Sequence, residues 1–415
     1  MKHRTALAVA IVPLSIGLAL TAGPTYAGTA TKITTFAFKA TGFGTRVIGG
    51  QVPAGSGTTA YQGISCTNKA GKWRTNNIDE ATLPGVGQAT GVKTQVWTTS
   101  RNGVVASHSS HSIAKLVLAQ SQLGSLEVST INSRAKAYHN GSGFHAVTTT
   151  QIGALTFTPP VGPAQTFPAP TPDQPLTIPG LATVYAGQHA THHWGNGAIA
   201  TAYALRVDVL ATGTSVRLAR SHAALNSGLT GGLFSGRSAA THVVTAGNST
   251  LKSGSNPLTP MPCQGTYGKT IEKSLASLDL GGQIVVKGAS SSERGVQGDH
   301  RAHGVSRAEV NQIRLGGQVE IDGIVGRVTV DRTPSGVTKT IKGTRLGSVT
   351  VSGQAQTFPK TGVLEIPGVA KLERAVVTRT HSGISVIGLR ITLLDGSGAV
   401  INLAEARLKI HSLTH

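Results

Sequence analysis

The most constraining feature of the chain is that its second half repeats its first. The pentapeptide Ala-Gln-Thr-Phe-Pro begins at Ala164 and again at Ala355, and the pattern Leu-x-Ile-Pro-Gly begins at Leu176 and again at Leu364. A nearly constant displacement between such matches indicates tandem duplication with small insertions and deletions. Both halves of the chain are therefore predicted to fold into the same kind of unit.

A phosphate-loop-like segment belongs to this duplication. The stretch CQGTYGKT at Cys263–Thr270 differs by one residue from a phosphate-binding loop, whose first position is glycine. Cys66–Lys72 repeats its Cys-x4-Gly-Lys spacing, without a Ser or Thr after the lysine. A phosphate loop also needs a strand before it and a helix opening at its end. We interpret the segment as a structural repeat and assign no cofactor.

A histidine pattern also occurs twice. The pattern Gly-Val-x3-His-x2-His spans Gly103–His111 and recurs at Gly295–His303. Duplication explains this match without a metal ion. The two stretches are therefore predicted to be equivalent parts of the two units.

The local pattern of the chain is that of β-strands. In ALRVDVL the apolar Leu205, Val207 and Val209 alternate with Arg206 and Asp208, which is typical of a half-buried strand. Asn-Gly and Gly-Gly steps between such segments favour hairpins. We predict an all-β fold with two tandem homologous modules, each a β-sandwich or a short stacked-sheet unit.

The boundaries follow from the repeat. Residues 1–27 are predicted to be a signal peptide, residues 28–227 the first β module and residues 228–415 its duplicate. The boundary falls in the aperiodic stretch NSGLTGGL. The one segment with a helical pattern is at 270–278. Its counterpart in the first half lacks that pattern, so a helical turn here is expected to be short or absent.

The amino terminus predicts export. Lys2 and Arg4 precede the apolar segment Ala6–Leu20, and small residues lead to a cleavage site after about Ala27. No later stretch approaches the roughly 18 apolar residues of a membrane span. The mature protein is therefore expected to be secreted, without a transmembrane segment.

The charge of the chain favours anionic partners. The formal net charge is +20, and it falls by two when the leader with Lys2 and Arg4 is removed. Such a charge attracts polyanions such as cell-envelope polymers or acidic glycans. The basic residues are scattered rather than grouped in runs, so no specific nucleic-acid site is predicted.

Together these features resemble a known group of proteins. Ile-Pro-Gly elements, strands rich in Thr, Ala and Ser, and sparse cysteines in loops such as ISCTNKAGK are similar to those of choice-of-anchor P type exported proteins of actinobacteria. The resemblance covers roughly residues 36–410. It implies an extracellular or surface-displayed β protein and transfers no functional residues.

The two cysteines, Cys66 and Cys263, stand at equivalent positions of the repeat. Export permits a disulfide. One candidate is a Cys66–Cys263 bridge, which requires the two Cα atoms to lie about 5.5 Å apart. The alternative is two separate thiols, one in each module, which pair between chains.

Histidines are the candidate metal ligands. His189, His192 and His193 form the densest group. Imidazoles three residues apart can share a zinc ion on a helix. On a strand they face opposite sides, and the segment has a strand pattern. A metal site at these residues therefore competes with the interpretation that they are ordinary polar positions.

No catalytic residue is assigned. There is no Gly-x-Ser-x-Gly elbow between a strand and a helix. The close carboxylate pairs are Asp79 with Glu80 and Glu320 with Asp322. We predict a secreted, non-enzymatic structural or interaction protein that contacts cell-envelope or other polyanionic polymers. The alternatives are a secreted hydrolase of a wall or plant polymer and a histidine-based metal-binding module.

Overall fold

Strands account for both halves of the chain. The structure, a computed structural model, describes residues 31–49, 55–83, 86–121, 124–245, 254–280 and 284–413. The predicted leader, residues 1–27, lies outside the described residues. No helix occurs in the described ranges.

Thirteen strands form the first module: β1 (Lys32–Ile48), β2 (Gln62–Ala70), β3 (Trp73–Leu83), β4 (Gly87–Arg101), β5 (Val104–Ser121), β6 (Gly124–His139), β7 (Phe144–Gln151), β8 (Leu155–Thr158), β9 (Gln165–Phe167), β10 (Leu176–Ile178), β11 (Ala182–Trp194), β12 (Gly197–Val209) and β13 (Thr214–Asn226).

Thirteen more form the second module: β14 (Leu233–Thr245), β15 (Asn256–Pro260), β16 (Thr270–Asp279), β17 (Ile284–Gly298), β18 (Arg301–Leu315), β19 (Val319–Thr333), β20 (Gly336–Thr340), β21 (Val349–Val351), β22 (Gln354–Gln356), β23 (Val363–Ile366), β24 (Ala370–Thr380), β25 (Gly383–Leu393) and β26 (Val400–His411).

The sheets repeat strand for strand. The first module has a six-stranded sheet, β10-β11-β12-β13-β1-β2, and a seven-stranded sheet, β3-β4-β5-β6-β8-β9 with β7 also paired to β6. The second module has the orders β23-β24-β25-β26-β14-β15 and β16-β17-β18-β19-β21-β22, with β20 paired to β19. Each strand of the first module thus has its counterpart thirteen strands later. The predicted all-β fold with two tandem β-sandwich-like modules is confirmed.

The predicted boundary falls in the connection between the modules. β13 ends at Asn226 and β14 begins at Leu233. Thr31–His415 nevertheless forms one compact unit. The division between residues 227 and 228 therefore stays a prediction.

Of the two expectations for 270–278, a short helical turn or none, the structure shows none. This segment is β16, an edge strand that pairs with β17 from Thr270 opposite Arg294 to Asp279 opposite Val285. Its apolar residues Ile271, Leu275 and Leu278 have the spacing of a helix and not the period of two of a strand. The hydrogen bonds offered by β17 decide in favour of the strand, as tertiary context often does over local propensity.

Alternation along the strands builds the core. In β12 the side chains of Leu205, Val207 and Val209 are buried between the two sheets, as predicted, while Arg206 and Asp208 face outward. The second module repeats this with buried Leu389 and Ile391. Aliphatic residues dominate both cores, in keeping with the low aromatic content.

A polar band divides each sandwich core. In the first module it separates an apolar cluster around Leu205 from one around Phe38. Its side chains pair with each other: the hydroxyls of Ser133 and Ser221 lie 2.8 Å apart, joining the two sheets. In the second module Thr259 and Ser291 do the same, also at 2.8 Å. Such pairing offsets the cost of burying polar groups.

The predicted equivalence of the two histidine patterns is wrong. Gly103 lies in the turn between β4 and β5, whereas Gly295 lies inside β17, opposite Gly304. The counterpart of the Asn102-Gly103 turn is Asp299-His300, which connects β17 to β18. The strand pairing therefore aligns Gly103 with His300, and the sequence match at Gly295–His303 is coincidental.

The modules meet around the two cysteines. Ala37 and Leu233 occupy equivalent positions, opposite Asn226 in β13 and His411 in β26 respectively. Both are buried together with Cys66 and Cys263. Because equivalent residues of the two modules meet each other, this contact is approximately two-fold symmetric.

Candidate functional site

The outer face of the first module's six-stranded sheet gathers four arginines. Arg46 of β1 lies directly opposite Arg217 of β13, which lies opposite Arg206 of β12, which lies opposite Tyr185 of β11. Arg220 follows on β13. We call Arg46, Arg206, Arg217 and Arg220 the arginine face. Like charges directly opposite each other destabilise a sheet, so this arrangement is costly unless anions neutralise it.

One carboxylate lies within the six strands of this sheet. Asp208 is their only acidic residue, and it binds Arg206 through two contacts, Nε–Oδ1 at 3.0 Å and Nη2–Oδ2 at 2.6 Å. These hydrogen bonds raise the pKa of Arg206 above its ordinary value. Because Asp208 is bound to Arg206, the described strands of this sheet offer no acidic partner to Arg46, Arg217 and Arg220.

Aromatic rings support the guanidinium groups. The Cζ atom of Arg220 lies 5.7 Å from the ring centre of Phe43 and 6.0 Å from that of Tyr203. Cζ of Arg217 lies 5.9 Å from the Tyr203 ring, which is within the range of cation–π contact. The rings fix the planar guanidiniums against the sheet, so less side-chain entropy remains to be lost on binding an anion.

Arg46 shows the electrostatic consequence of this clustering. Burial lowers its pKa below the ordinary arginine value, and the positive charges of Arg217 and Arg220 lower it further. Its Nε atom is buried without a hydrogen-bond partner among the described residues. An unpaired, charged donor in a field of like charges is the kind of group that an anion stabilises.

The positive charges of this face also act on a neighbouring histidine, His222. His222 lies opposite Thr41 and Thr201, and its Nδ1 is 2.8 Å from the Thr201 hydroxyl. Burial first, and then the charges of Arg220 and Lys39, hold the pKa of His222 well below its ordinary value. This imidazole therefore stays neutral beside the arginines at physiological pH.

Lys39 lies on the same strand as Arg46 and is influenced by a carboxylate of the second module. Burial and the charge of Arg220 lower its pKa to about 8, while Glu293 of the second module acts in the opposite direction. Glu293 is fully buried and accepts a hydrogen bond from Ser306 at 2.7 Å. Burial raises the pKa of Glu293 well above the ordinary value.

A second feature is an aromatic stack on the outer face of the seven-stranded sheet. Trp73, Trp97 and His108 lie side by side on β3, β4 and β5. The ring centres of the two indoles are 5.0 Å apart. The imidazole stacks on Trp97 with 4.7 Å between the ring centres and an angle of 3° between the ring planes. Burial and neighbouring Lys136 lower the pKa of His108 to about 4.

The candidate disulfide is present. Cys66 and Cys263 are bonded, with Cα atoms 5.3 Å apart. Neither cysteine is free, so the alternative of separate thiols is excluded for this structure. The loop that begins at Cys263 leads into strand β16 and not into a helix, so the phosphate-loop resemblance of CQGTYGKT lacks its required context.

The candidate metal ligands are not brought together. His189, His192 and His193 are exposed on β11, where alternation puts His192 on the opposite face from the other two. His189 and His193 share a face but are about 13 Å apart along the strand. Among the residues that the structure describes, no group of three His, Cys, Asp or Glu side chains could hold a metal ion. The metal hypothesis gains no support from this arrangement.

The other candidate residues are engaged in ordinary strand contacts. Glu320 and Asp322 share Gln312, whose Nε2 lies 2.9 Å and 3.1 Å from them, and Arg314 pairs with Glu320 at 2.9 Å. Asp79 and its neighbour are consecutive on β3, so their side chains point to opposite faces. The Asp79 pair therefore does not converge, whereas the carboxylates of Glu320 and Asp322 converge on one amide nitrogen of Gln312, where Arg314 also engages Glu320.

Sequence reasoning missed the arginine face. Its residues come from the hairpin β12–β13 and from β1, which is far from that hairpin in the chain, and no run of basic residues marks them. The available signal was the polar phase of each strand, which puts Arg217 of SVRLARS and Arg206 of LRVDV on the outer face. Arg220, three residues after Arg217, joins that face only because of the left-handed residue Ala219. Without the pairing register these positions could not be placed side by side.

The fold and this surface define a class of protein: a tandem β-sandwich protein with a disulfide between its modules and a cationic sheet face. No model of a known protein family matches the chain. A comparison with curated proteins likewise found no significantly similar sequence. Within the described residues, no helix has the length and apolar character needed to cross a membrane.

Proposed function

We propose that this is a secreted, non-enzymatic interaction protein that binds polyanionic polymers, with cell-envelope polymers as the favoured class, through the arginine face of its first module. The observation that carries the proposal is the row Arg46–Arg217–Arg206 beside Arg220, with Asp208 as the only acid in the sheet. Guanidinium groups bind carboxylate and phosphate groups through paired hydrogen bonds. The net charge of the whole chain adds long-range attraction.

The arginine face suits a polymer better than a small anion. Its cations extend over neighbouring strands, which lie about 4.8 Å apart, so several anionic groups of one chain can bind at once. Multivalent binding strengthens weak individual contacts without requiring a deep pocket. The resemblance to choice-of-anchor P type exported proteins, which stays a prediction, implies the same extracellular setting.

Salt-dependent retention on immobilised heparin tests the proposal. The wild-type protein is expected to bind at low ionic strength and to elute in a salt gradient, because polyanion binding releases counterions. Replacing Arg217 and Arg220 by Ala should weaken binding at least tenfold, since a hydrogen bond to a charged group is worth about 1.5–3 kcal/mol. Flow-through of the wild type at low ionic strength would refute the proposal.

A matched control separates the arginine face from net charge. Arg390 and Arg407 lie on β25 and β26, the counterparts of β12 and β13 in the second module. Replacing both by Ala removes the same charge as the Arg217→Ala, Arg220→Ala variant. The control should elute close to the wild type. Equal losses in the two double variants would show that charge alone, and not the arginine face, determines binding.

A further inference from the structure

The duplication offers an internal comparison for the arginine face. Ala219 in β13 and Ala404 in β26 both have left-handed backbone conformations, with φ of 50° and 54°. They mark the same irregularity in the two modules. The residue that follows is Arg220 in the first module and Glu405 in the second. The same place thus holds a cation in one copy and a carboxylate in the other.

The strand pairing confirms this equivalence. Arg220 lies opposite Phe43 of β1, and Glu405 lies opposite Ala239 of β14. Two residues further along the neighbouring strands, Thr45 pairs with Leu218 and Thr241 pairs with Leu403. Arg46, which follows Thr45, therefore corresponds to His242, which follows Thr241.

In the second module the carboxylate lies beside one arginine and one histidine. Glu405 lies 3.4 Å from Nδ1 of His242 and 3.6 Å from Nη2 of Arg237. His242 is the main cause that lowers the pKa of Glu405, with Arg237 adding to the effect and burial opposing it. The outer face of the second module thus contains its own anion.

In the first module the corresponding side chains have no such carboxylate partner among the residues that the structure describes. Arg46, the counterpart of His242, is flanked by the positive charges of Arg217 and Arg220. Arg220 donates from Nη1 to the Thr41 hydroxyl at 3.1 Å, a neutral acceptor in the place of Arg237. The carboxylate of Asp208 is already bound to Arg206.

We propose that the first module binds a carboxylate group of an external polymer among Arg46, Arg217 and Arg220, and that this group does for the first module what the Glu405 side chain does for the second. The ligand class is an acidic polysaccharide that carries carboxylates on its sugar units. The inference rests on the proposed function and specifies the anionic group. It also makes the binding asymmetric, with one site per chain despite two modules.

The test supplies the missing carboxylate from within the chain. In Arg220→Glu, the first module acquires the residue of the second, so its carboxylate should pair with Arg46 and Arg217 and compete with the ligand. Titration calorimetry of the full-length protein with hyaluronate oligosaccharides, which carry carboxylates, is expected to show one site per chain for the wild type. Affinity should fall at least thirtyfold in Arg220→Glu.

The control is Arg407→Glu, on the corresponding outer face of the second module, which changes the net charge equally. Its affinity should stay within threefold of the wild type. Arg217→Gln, an exposed position, provides a second variant of the site should Arg220→Glu not fold, and it should lose at least fivefold. Thermal unfolding of each variant verifies the fold.

The outcomes separate this inference from the broader proposal. Equal losses in Arg220→Glu and Arg407→Glu, or two sites per chain in the wild type, would overturn the carboxylate site while salt-dependent heparin binding could still hold. Heparin binding without any binding of hyaluronate would also overturn it, because the site would then select sulfate. Absence of both would refute the proposed function as well.

Discussion

Cys66 of the first module is bonded to Cys263 of the second, with the Cα atoms 5.3 Å apart. The two cysteines hold equivalent places in the duplicated fold, and the equivalent Ala37 and Leu233 pack around them. The bond therefore lies where the two copies meet each other symmetrically. It restrains the relative position of the modules and not the interior of either one.

Removing this disulfide is expected to destabilise the protein. The bond closes a loop between residues 197 apart in sequence. In the chain-entropy model such a loop corresponds to about 5 kcal/mol. The Cys66→Ala, Cys263→Ala variant should therefore unfold at lower urea concentration, measured by circular dichroism against the oxidised wild type. An unchanged midpoint would show that packing between the modules suffices without the bond.

Acid is expected to destabilise the fold through His111. This imidazole is 1% exposed, and its Nδ1 is 2.6 Å from the Thr94 hydroxyl. Burial lowers its pKa to about 3. Between pH 6.5 and about 3 the unfolded chain binds a proton that the folded protein does not. The free energy of unfolding should therefore fall by about 1.4 kcal/mol per pH unit.

Urea unfolding between pH 7 and pH 4 measures this slope. His111→Gln should flatten it by that amount, since the amide does not titrate. His381→Gln, at an exposed turn, is the control and should leave the slope unchanged. A variant of His111 with the wild-type slope would contradict the assignment.

Glu293 and Glu405 are expected to respond in opposite ways to the same substitution. Because burial raises the pKa of Glu293, the folded protein loses stability as pH rises above about 4.5. Glu293→Gln keeps an acceptor for Ser306 and should stabilise the protein at pH 7, by about 1.4 kcal/mol for each unit of raised pKa.

The pKa of Glu405 is lowered first by its hydrogen bond with His242 and then by the charge of Arg237, so its contribution is present above about pH 4.5 and is lost as pH falls. Glu405→Gln should therefore destabilise the protein at pH 7. Denaturant midpoints at pH 7 and pH 4 check both substitutions. Two shifts of the same sign at pH 7 would contradict this distinction.

The stack of Trp97 on His108 should be visible in the titration of the imidazole. The indole covers one face of the ring and helps to exclude water, and burial is the main cause of a pKa of about 4. Trp97→Ala should raise this pKa toward the ordinary value of about 6.5. Nuclear magnetic resonance of labelled histidine measures it, and Trp194→Ala, on β11 of the other sheet, should have no effect.

The sequence predicted the features that depend on local pattern. Alternation in ALRVDVL placed Leu205 and Val207 in the core and Arg206 outside it, because the side-chain period of a strand is a property of its backbone. The repeat of Leu-x-Ile-Pro-Gly likewise predicted two copies of one fold, and the structure shows both copies as hairpins, β10–β11 and β23–β24.

The local sequence pattern gave wrong indications where strand pairing decided the structure. The segment at 270–278 forms a strand because β17 supplies its hydrogen-bond partners. The predicted equivalence of the two histidine patterns was wrong, because the strand register defines equivalent positions in the two sheets. That register aligns Gly103 with His300.

The sequence by itself determined the all-β class, the inward and outward faces of regular strands such as β12, and the presence of two copies, since period and repetition are properties of the local sequence. Only the tertiary structure decided that Cys66 reaches Cys263 and that Arg46 lies opposite Arg217. Those contacts join residues far apart in the chain. They depend on which strands pair and in what register, and that is set by the burial of whole sheets against each other.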